Sequence, residues 1–269
     1  MNLLYAALLG IIQGLTEFLP VSSSAHLILF RAVFGVDLGQ IGLPFDVACH
    51  VGTLLAVVVY FRRELWAMVA ESPVALRGGD SESVRLLRSM LIGTLPIAGA
   101  GLVFGDVIQD QLRTPGVAVL ALALGGVVLL AVERVGPRAR GEESLRLVEA
   151  LAVGVAQAVA LVPGVSRSGA VIAAGLLLGL RREAAARFGF LLGIPAILMA
   201  AAKAATDLSP GALSGEVLGV FAVGLTTSAV VGHVTVSHLI RYLTGHTLGA
   251  FAVYRLLVAG AVFLWMSWV

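Results

Sequence analysis

Glu17 stands near the end of an apolar stretch, four residues after Gln13. On a helix that spacing puts both side chains on one face, one turn apart. A carboxylate inside an apolar segment is costly and is a functional candidate by default; the plainer reading is a structural glutamate satisfied by Thr16 or a nearby serine. Pro20-Val21-Ser22-Ser23-Ser24-Ala25-His26 follows at once, so three hydroxyls and an imidazole lie within nine residues of the carboxylate. A serine becomes a useful nucleophile only with a base within hydrogen-bond reach, and Glu17 is the nearest base to Ser23. One of the serines also suits the N-cap of a following helix. His26 alone at a helix start would be structural; beside Glu17 and the serines it is a candidate for catalysis.

A second cluster reads Val162-Pro163-Gly164-Val165-Ser166-Arg167-Ser168-Gly169-Ala170. Arg167 lies between two apolar runs with no acidic neighbour in sequence, so it needs an anion. That anion is the carboxylate of Glu17 or a bound phosphate. Gly164, Ser166, Ser168 and Gly169 favour phosphate: they let the backbone approach closely, and a helix N-terminus turns N–H groups toward an anion. The planar fork of arginine matches phosphate oxygens. Asp46 and His50, four apart at the start of another apolar run, line the same cavity or pair with each other. His233, His238 and His246 lack metal-ligand spacing and suit interhelical or interface positions. No GxxxxGK[ST], HExxH or GxSxG signal is present.

The elements that must position these residues are membrane segments. Of 269 residues 59% are hydrophobic and only 13% charged, and the mean hydropathy is +0.99. That excludes a soluble globular domain, a disordered chain and a fibrous one. The net charge of +2, with basic residues scattered over short loops, argues against a nucleic-acid partner. Cys49 is the only cysteine, which rules out an intrachain disulfide and a cysteine metal cluster. The N-terminus has no charged n-region and no small-residue cleavage site, so it is expected to remain in the mature protein.

Six apolar runs, about 45–61, 89–104, 115–132, 188–205, 217–240 and 249–268, approach the roughly 20 residues a span needs. Four runs, 3–18, 25–36, 147–162 and 169–180, are shorter and come in pairs, each joined by Pro, Gly and Ser. They are expected to form two re-entrant helical hairpins, since non-helical backbone at membrane depth survives only inside protein or beside a watery cavity. The segment from Arg62 to Arg88 is the longest polar loop. Segments 62–88, 133–146 and 181–187 carry five, four and three arginines and are assigned to the cytoplasm; 105–114 and 206–216 are assigned outside.

An internal repeat supports this layout. GIIQGLTEFLPVSSS at 10–24 lines up with GVAQAVALVPGVSRS at 154–168 at a constant offset of 144. Each half becomes one hairpin plus three spans, an odd number, so the second copy is upside down. The expected fold is an all-α polytopic membrane protein with an inverted-topology repeat. It forms a single membrane domain over 1–269, with halves at about 1–133 and 147–269.

The QGLTE pattern leading into FLPVSSSAHL, together with PGVSRSG, resembles the bacitracin-resistance type undecaprenyl-pyrophosphate phosphatases. HVGTLLAVVVYFRREL, FGFLLGIPAILMA and AVYRLLVAGAV extend the resemblance along the whole chain. It implies an undecaprenyl-diphosphate phosphatase of the bacterial inner membrane. Such an enzyme recycles the lipid carrier for peptidoglycan and other glycans and confers bacitracin resistance. It further implies undecaprenyl pyrophosphate and bilayer lipid as partners, compatibility with a homodimer, and a divalent cation, Mg²⁺ or Ca²⁺, with Glu17 a candidate ligand. Carried over by position, Glu17, Ser23, His26 and Arg167 are the catalytic candidates. Gln13, Ser22, Ser166, Ser168, Gly164 and Gly169 are the substrate-binding ones. The family pattern SRSGAT has a threonine where this chain has Val171, so either the hydroxyl is dispensable, or Ser168 or Thr53 replaces it, or activity falls.

Phosphoryl transfer depends on charge neutralisation and in-line positioning. Arg167, backbone N–H groups and a divalent ion are expected to neutralise charge, and Glu17 to activate Ser23 or water or to hold the metal. His26 is the rival nucleophile or a general acid. The alternative is a polyprenyl-phosphate flippase, because inverted repeats with broken hairpins are above all a transporter architecture.

Overall fold

A computed structural model describes residues 3–36, 42–136, 138–207 and 215–268. The described residues fold into helices, with one isolated bridge between Arg140 and Leu180. In chain order these are α1 (Leu3–Thr16), α2 (Ser23–Phe34), α3 (Gly42–Tyr60), α4 (Arg62–Leu76), α5 (Glu82–Val107), α6 (Pro115–Val132), α7 (Leu147–Val159), α8 (Arg167–Leu177), α9 (Arg182–Asp207), α10 (Gly215–Gly245) and α11 (Gly249–Trp268). Six of them, α3, α5, α6, α9, α10 and α11, are long and apolar enough to cross a membrane. They fall on the six long runs of the hydropathy pattern. The chain is a multi-pass membrane protein, and Leu95, Leu102, Leu120 and Leu257 face outward where lipid replaces water.

The four short helices α1, α2, α7 and α8 have 14, 12, 13 and 11 residues, too few to span hydrocarbon about 30 Å thick at 1.5 Å per residue. The pair α1 and α2 is followed by the long helices α3, α5 and α6, with α4 between the first two of these, and the pair α7 and α8 by the long helices α9, α10 and α11. α1 lies along α10, α7 lies along α5, and α6 packs against α11. Two glycines 144 residues apart permit the first two contacts. A Cβ at Gly10 would stand 2.7 Å from the Gly224 carbonyl oxygen, and one at Gly154 would collide with the Gly93 carbonyl. Small residues at membrane helix interfaces let backbones approach this closely.

The stretch expected as a polar loop after Arg62 is instead helical over α4. Its Glu, Leu, Ala and Met residues are good helix formers, and Met68 anchors it in the core while Trp66 stays outside. The arginine-rich segments meet at one end of the molecule. Arg187 donates to Glu142 at 2.6 Å and to Glu64 at 3.0 Å. Arg182 forks onto Glu133 at 2.8 and 2.6 Å, and the Leu248 N–H donates to Glu133 at 2.7 Å. Arg140 and Arg146 both hold Glu149. Burial opposes ionisation of Glu133, but Arg182, the Leu248 N–H and Arg138 outweigh it and hold the carboxyl below its ordinary range. The hydrogen bonds of Arg140, with those of Arg146, hold Glu149 far below that range against its burial.

Candidate active site

The tips of the two short-helix pairs meet inside the bundle. Ser22 caps α2 at φ 73° and Ser166 caps α8 at φ 75°; among the described residues they are the non-glycine positions with positive φ. Such a backbone costs of order 1–3 kcal/mol and persists only where its surroundings hold it. Here the caps hold it. The Ser22 hydroxyl accepts from the Ala25 N–H at 3.4 Å and that of Ser166 from the Gly169 N–H at 3.1 Å. Each cap hydroxyl also lies 3.2 Å from the serine two residues on, Ser24 or Ser168. The tips then clasp each other: Ser168 donates to the Leu19 carbonyl at 3.0 Å, and the Gly164 N–H donates to the Ser24 hydroxyl at 3.4 Å.

The residue after each cap points at Glu17. Ser23 donates to Glu17 Oε2 at 2.6 Å, and Arg167 Nη2 donates to Oε1 at 2.6 Å. Gln13, one turn back on α1, donates to Oε2 at 2.9 Å. Arg167 is steadied by a second bond from Nη1 to the Gly193 carbonyl at 3.0 Å. Glu17 and Ser23 are both buried. Of the two anions open to Arg167 on sequence grounds, the carboxylate of Glu17 is the one it meets in this arrangement. Glu17, Ser23, Arg167 and Gln13 therefore form one hydrogen-bonded unit.

His26 stands apart from that unit. Its Nδ1–H donates to the Ser22 carbonyl at 2.8 Å, which leaves Nε2 to accept from the Tyr254 hydroxyl at 2.8 Å. The tautomer follows from these partners. Both ring nitrogens are thus engaged, and neither touches Ser23 or Glu17. The hydroxyls of Ser22, Ser166 and Ser168 and the amide of Gly169 build the tips as described above. Val171 is buried against Gly189. The two hydroxyls that could stand in for a threonine there are committed elsewhere, Ser168 to Leu19 and Thr53 to the His50 carbonyl at 2.9 Å.

The Asp46 and His50 side chains do not pair; the ring touches Asp46 at its backbone carbonyl, 2.8 Å from Nδ1. The Asp46 carboxylate is gripped by Arg31 and Arg113. The His50 ring instead reaches Glu17, with Nε2 3.4 Å from Oε2. Among the other histidines, His233 faces the Ala56 carbonyl of α3 at 3.5 Å, an interhelical contact.

Arg255 belongs to none of the candidate catalytic or binding clusters legible in the sequence. Fully buried on α11, it meets only carbonyls. It donates to Pro20 at 3.1 Å, Gly164 at 2.8 Å, Val165 at 3.1 Å, Ala121 at 3.0 Å and Leu122 at 3.1 Å. Gly164, at φ 101°, is the counterpart of Pro20 at the offset of 144. One guanidinium therefore joins the same point of both tips. The signal was available: a lone arginine inside a 20-residue apolar helix must have acceptors nearby.

The residues around Glu17 do not make a cage for a divalent cation. Among the described residues no group of three or more His, Cys, Asp or Glu side chains is placed to hold one. Both oxygens of Glu17 are taken by donors, and Arg167 already supplies positive charge. Gln13 Oε1 is buried without a partner among the described residues. Mg²⁺ and Ca²⁺ ask for six or more oxygen ligands.

The profile of a family described as bacitracin resistance protein BacA matches residues 6–261. The chain is 46% identical over 265 residues to an undecaprenyl-diphosphatase of Rubrobacter xylanophilus, covering 97% of each protein. It is 44% identical to undecaprenyl-diphosphatase 2 of Stutzerimonas stutzeri, covering 98% of each. It is 41% identical to an undecaprenyl-diphosphatase of Thioalkalivibrio sulfidiphilus over the full length of both.

Proposed function

The chain belongs to the bacitracin resistance protein BacA family, and from that premise we propose that it hydrolyses undecaprenyl pyrophosphate to undecaprenyl phosphate and inorganic phosphate. The lipid carrier is thereby returned to peptidoglycan and other cell-wall glycan synthesis, and bacitracin resistance follows. The observation that carries the chemistry is the 2.6 Å bond from Ser23 to Glu17, a nucleophile within reach of its base.

In the mechanism we assign, Ser23 Oγ attacks the terminal phosphorus and its proton passes to Glu17. The P–O–P bond breaks, and undecaprenyl phosphate leaves with the bridging oxygen. The departing undecaprenyl phosphate takes that proton from Glu17; water then attacks the phosphoserine and gives its proton to Glu17, which passes it to Ser23 Oγ as inorganic phosphate leaves. Arg167 exchanges Glu17 for the phosphoryl oxygens and neutralises the charge that builds on them. The N-terminus of α8 directs its dipole to the same place. Gln13 orients Glu17. His26, fixed between Ser22 and Tyr254, ranks behind Ser23 as nucleophile. Where the resemblance implies Mg²⁺ or Ca²⁺, we assign the ion to the pyrophosphate head and not to a protein-held cage.

For the architecture we infer an inverted-topology repeat with halves at about 1–133 and 147–269, each a re-entrant hairpin and three spans, in the bacterial inner membrane. Four things support it: the matched caps Ser22 and Ser166, the matched glycines Gly10 and Gly154, the exchange of α1 onto α10 and α7 onto α5, and the shared contact with Arg255. We assign the arginine-rich end to the cytoplasm.

The same repeat favours a second reading, polyprenyl-phosphate flipping. Purified protein in detergent, with no membrane to cross, separates the two. Release of phosphate from undecaprenyl pyrophosphate is expected; binding of the lipid without release would favour flipping.

A further inference from the structure

We propose that His50 is a positioning residue, the partner that takes over Glu17 when the pyrophosphate draws Arg167 away. The inference rests on the phosphatase reading above. On α3 the His50 ring is set by its own helix: Nδ1–H donates to the Asp46 carbonyl one turn back at 2.8 Å. That bond aims Nε2 at Glu17 Oε2, 3.4 Å away, the oxygen that takes the proton of Ser23. Arg31 and Arg113 occupy the Asp46 carboxylate, so that side chain does not compete for the ring.

The need for a second partner follows from the duties of Arg167. Its Nη1 is tied to Gly193 and its Nη2 to Glu17. A phosphoryl group that recruits the fork takes Nη2 from Glu17. A buried carboxylate that loses its charged partner is destabilised: Oε1 is left bare, and once Ser23 attacks, the neutral amide of Gln13 is the donor that remains on Oε2. Of the charged and titratable side chains that face Glu17, Arg167 comes from α8 and His50 from α3. A contact of 3.4 Å in the free enzyme is of the kind that shortens once substrate is bound. His50 then keeps Oε2 turned toward Ser23 throughout the transfer.

The test compares His50→Leu, His50→Phe and His50→Gln with the unaltered protein, all in detergent with undecaprenyl pyrophosphate. Leu and Phe fill the space without a donor; Gln keeps an N–H within similar reach. The expected result is a fall in kcat of about 10- to 100-fold for Leu and Phe, the worth of one hydrogen bond to a charged group. KM stays nearly unchanged, and Gln restores most of kcat. Thermal melting identifies any variant that fails to fold, and the ring-shaped Phe variant decides the matter if Leu does. Full kcat in a folded Leu or Phe variant, or an equal loss in Gln, overturns the assignment of His50. A lack of phosphate release by the unaltered protein would instead overturn the phosphatase reading.

Discussion

Ser23 and Arg167, 144 residues apart and each the first residue of the second helix of its pair, grip opposite oxygens of the one carboxylate of Glu17, both at 2.6 Å. The sequence match at an offset of 144 and the paired caps Ser22 and Ser166 are shared by the two segments, but the chemistry is divided. Where the first half has Glu17, Ser23 and His26, the second has Leu161, Arg167 and Ala170. One copy supplies the base and the nucleophile, and the other supplies the cation.

Glu17→Gln preserves shape and removes the proton acceptor. We expect kcat to fall by at least about 10²-fold, the usual share of a general base, while the protein folds normally. Excess Mg²⁺ or Ca²⁺ should not restore it, because the surrounding residues form no cage. Recovery of turnover with added metal would make Glu17 a ligand.

Arg167→Ala should lower kcat by on the order of 10²- to 10³-fold, as loss of a preorganised donor does. Arg167→Lys should recover only part, since a point charge cannot both hold Gly193 and meet a phosphoryl group bidentately. Steady-state phosphate release measures both, and near-normal turnover of the Ala variant would remove Arg167 from the mechanism.

Arg255→Met leaves the carbonyls of Pro20, Gly164, Val165, Ala121 and Leu122 without their donor. Breaking a buried charged network costs about 3–5 kcal/mol, so the melting temperature in detergent should drop well below that of the unaltered protein. Arg255→Lys should regain a minority of the loss. A melting temperature unchanged in Arg255→Met would contradict the role of this arginine.

Sidedness is checked with single cysteines. In a Cys49→Ala background, Ala139→Cys and Glu216→Cys should react with a membrane-impermeant thiol reagent from opposite faces of the membrane. Reaction from the same face would overturn the inverted repeat.

Glu133 and Glu149 are both held below the ordinary carboxylate value of 4.5 in the fold. A carboxyl depressed in this way stabilises the fold above its unfolded value, and the gain is lost as pH falls toward its folded value. Thermal melting should therefore be nearly flat from neutral pH down to the unfolded value and decline below it. Glu149→Gln should be less stable at neutral pH and show a shallower acid decline. An acid profile identical to that of the unaltered protein would refute the assignment.

Much of this was legible in the sequence because membrane burial writes itself as long apolar runs. The six spans and the four short helices lie where hydropathy put them. Helix α4 was not legible, since its mixed polar composition reads as a loop until Met68 finds the core. Glu17, Ser23 and Arg167 could be named from their cost in an apolar setting, but the choice between Glu17 and a phosphate as the partner of Arg167 could not be made. The fates of His26, Asp46 and His50 depend on residues far along the chain. Tyr254 fixes His26, Arg113 claims Asp46, and Glu17 reaches His50 across two helices. No local pattern carries such pairings.

The carbonyls of Pro20 and Gly164 share one guanidinium on α11, and this restricts motion. Neither tip can swing outward alone without surrendering its hydrogen bond to the fully buried Arg255 guanidinium. The two tips and α11 are consequently expected to travel as one rigid body. Access for a lipid head then has to come from the helices around that body, and the spacing between Ser23 and Arg167 is kept fixed whichever way the surrounding bundle breathes.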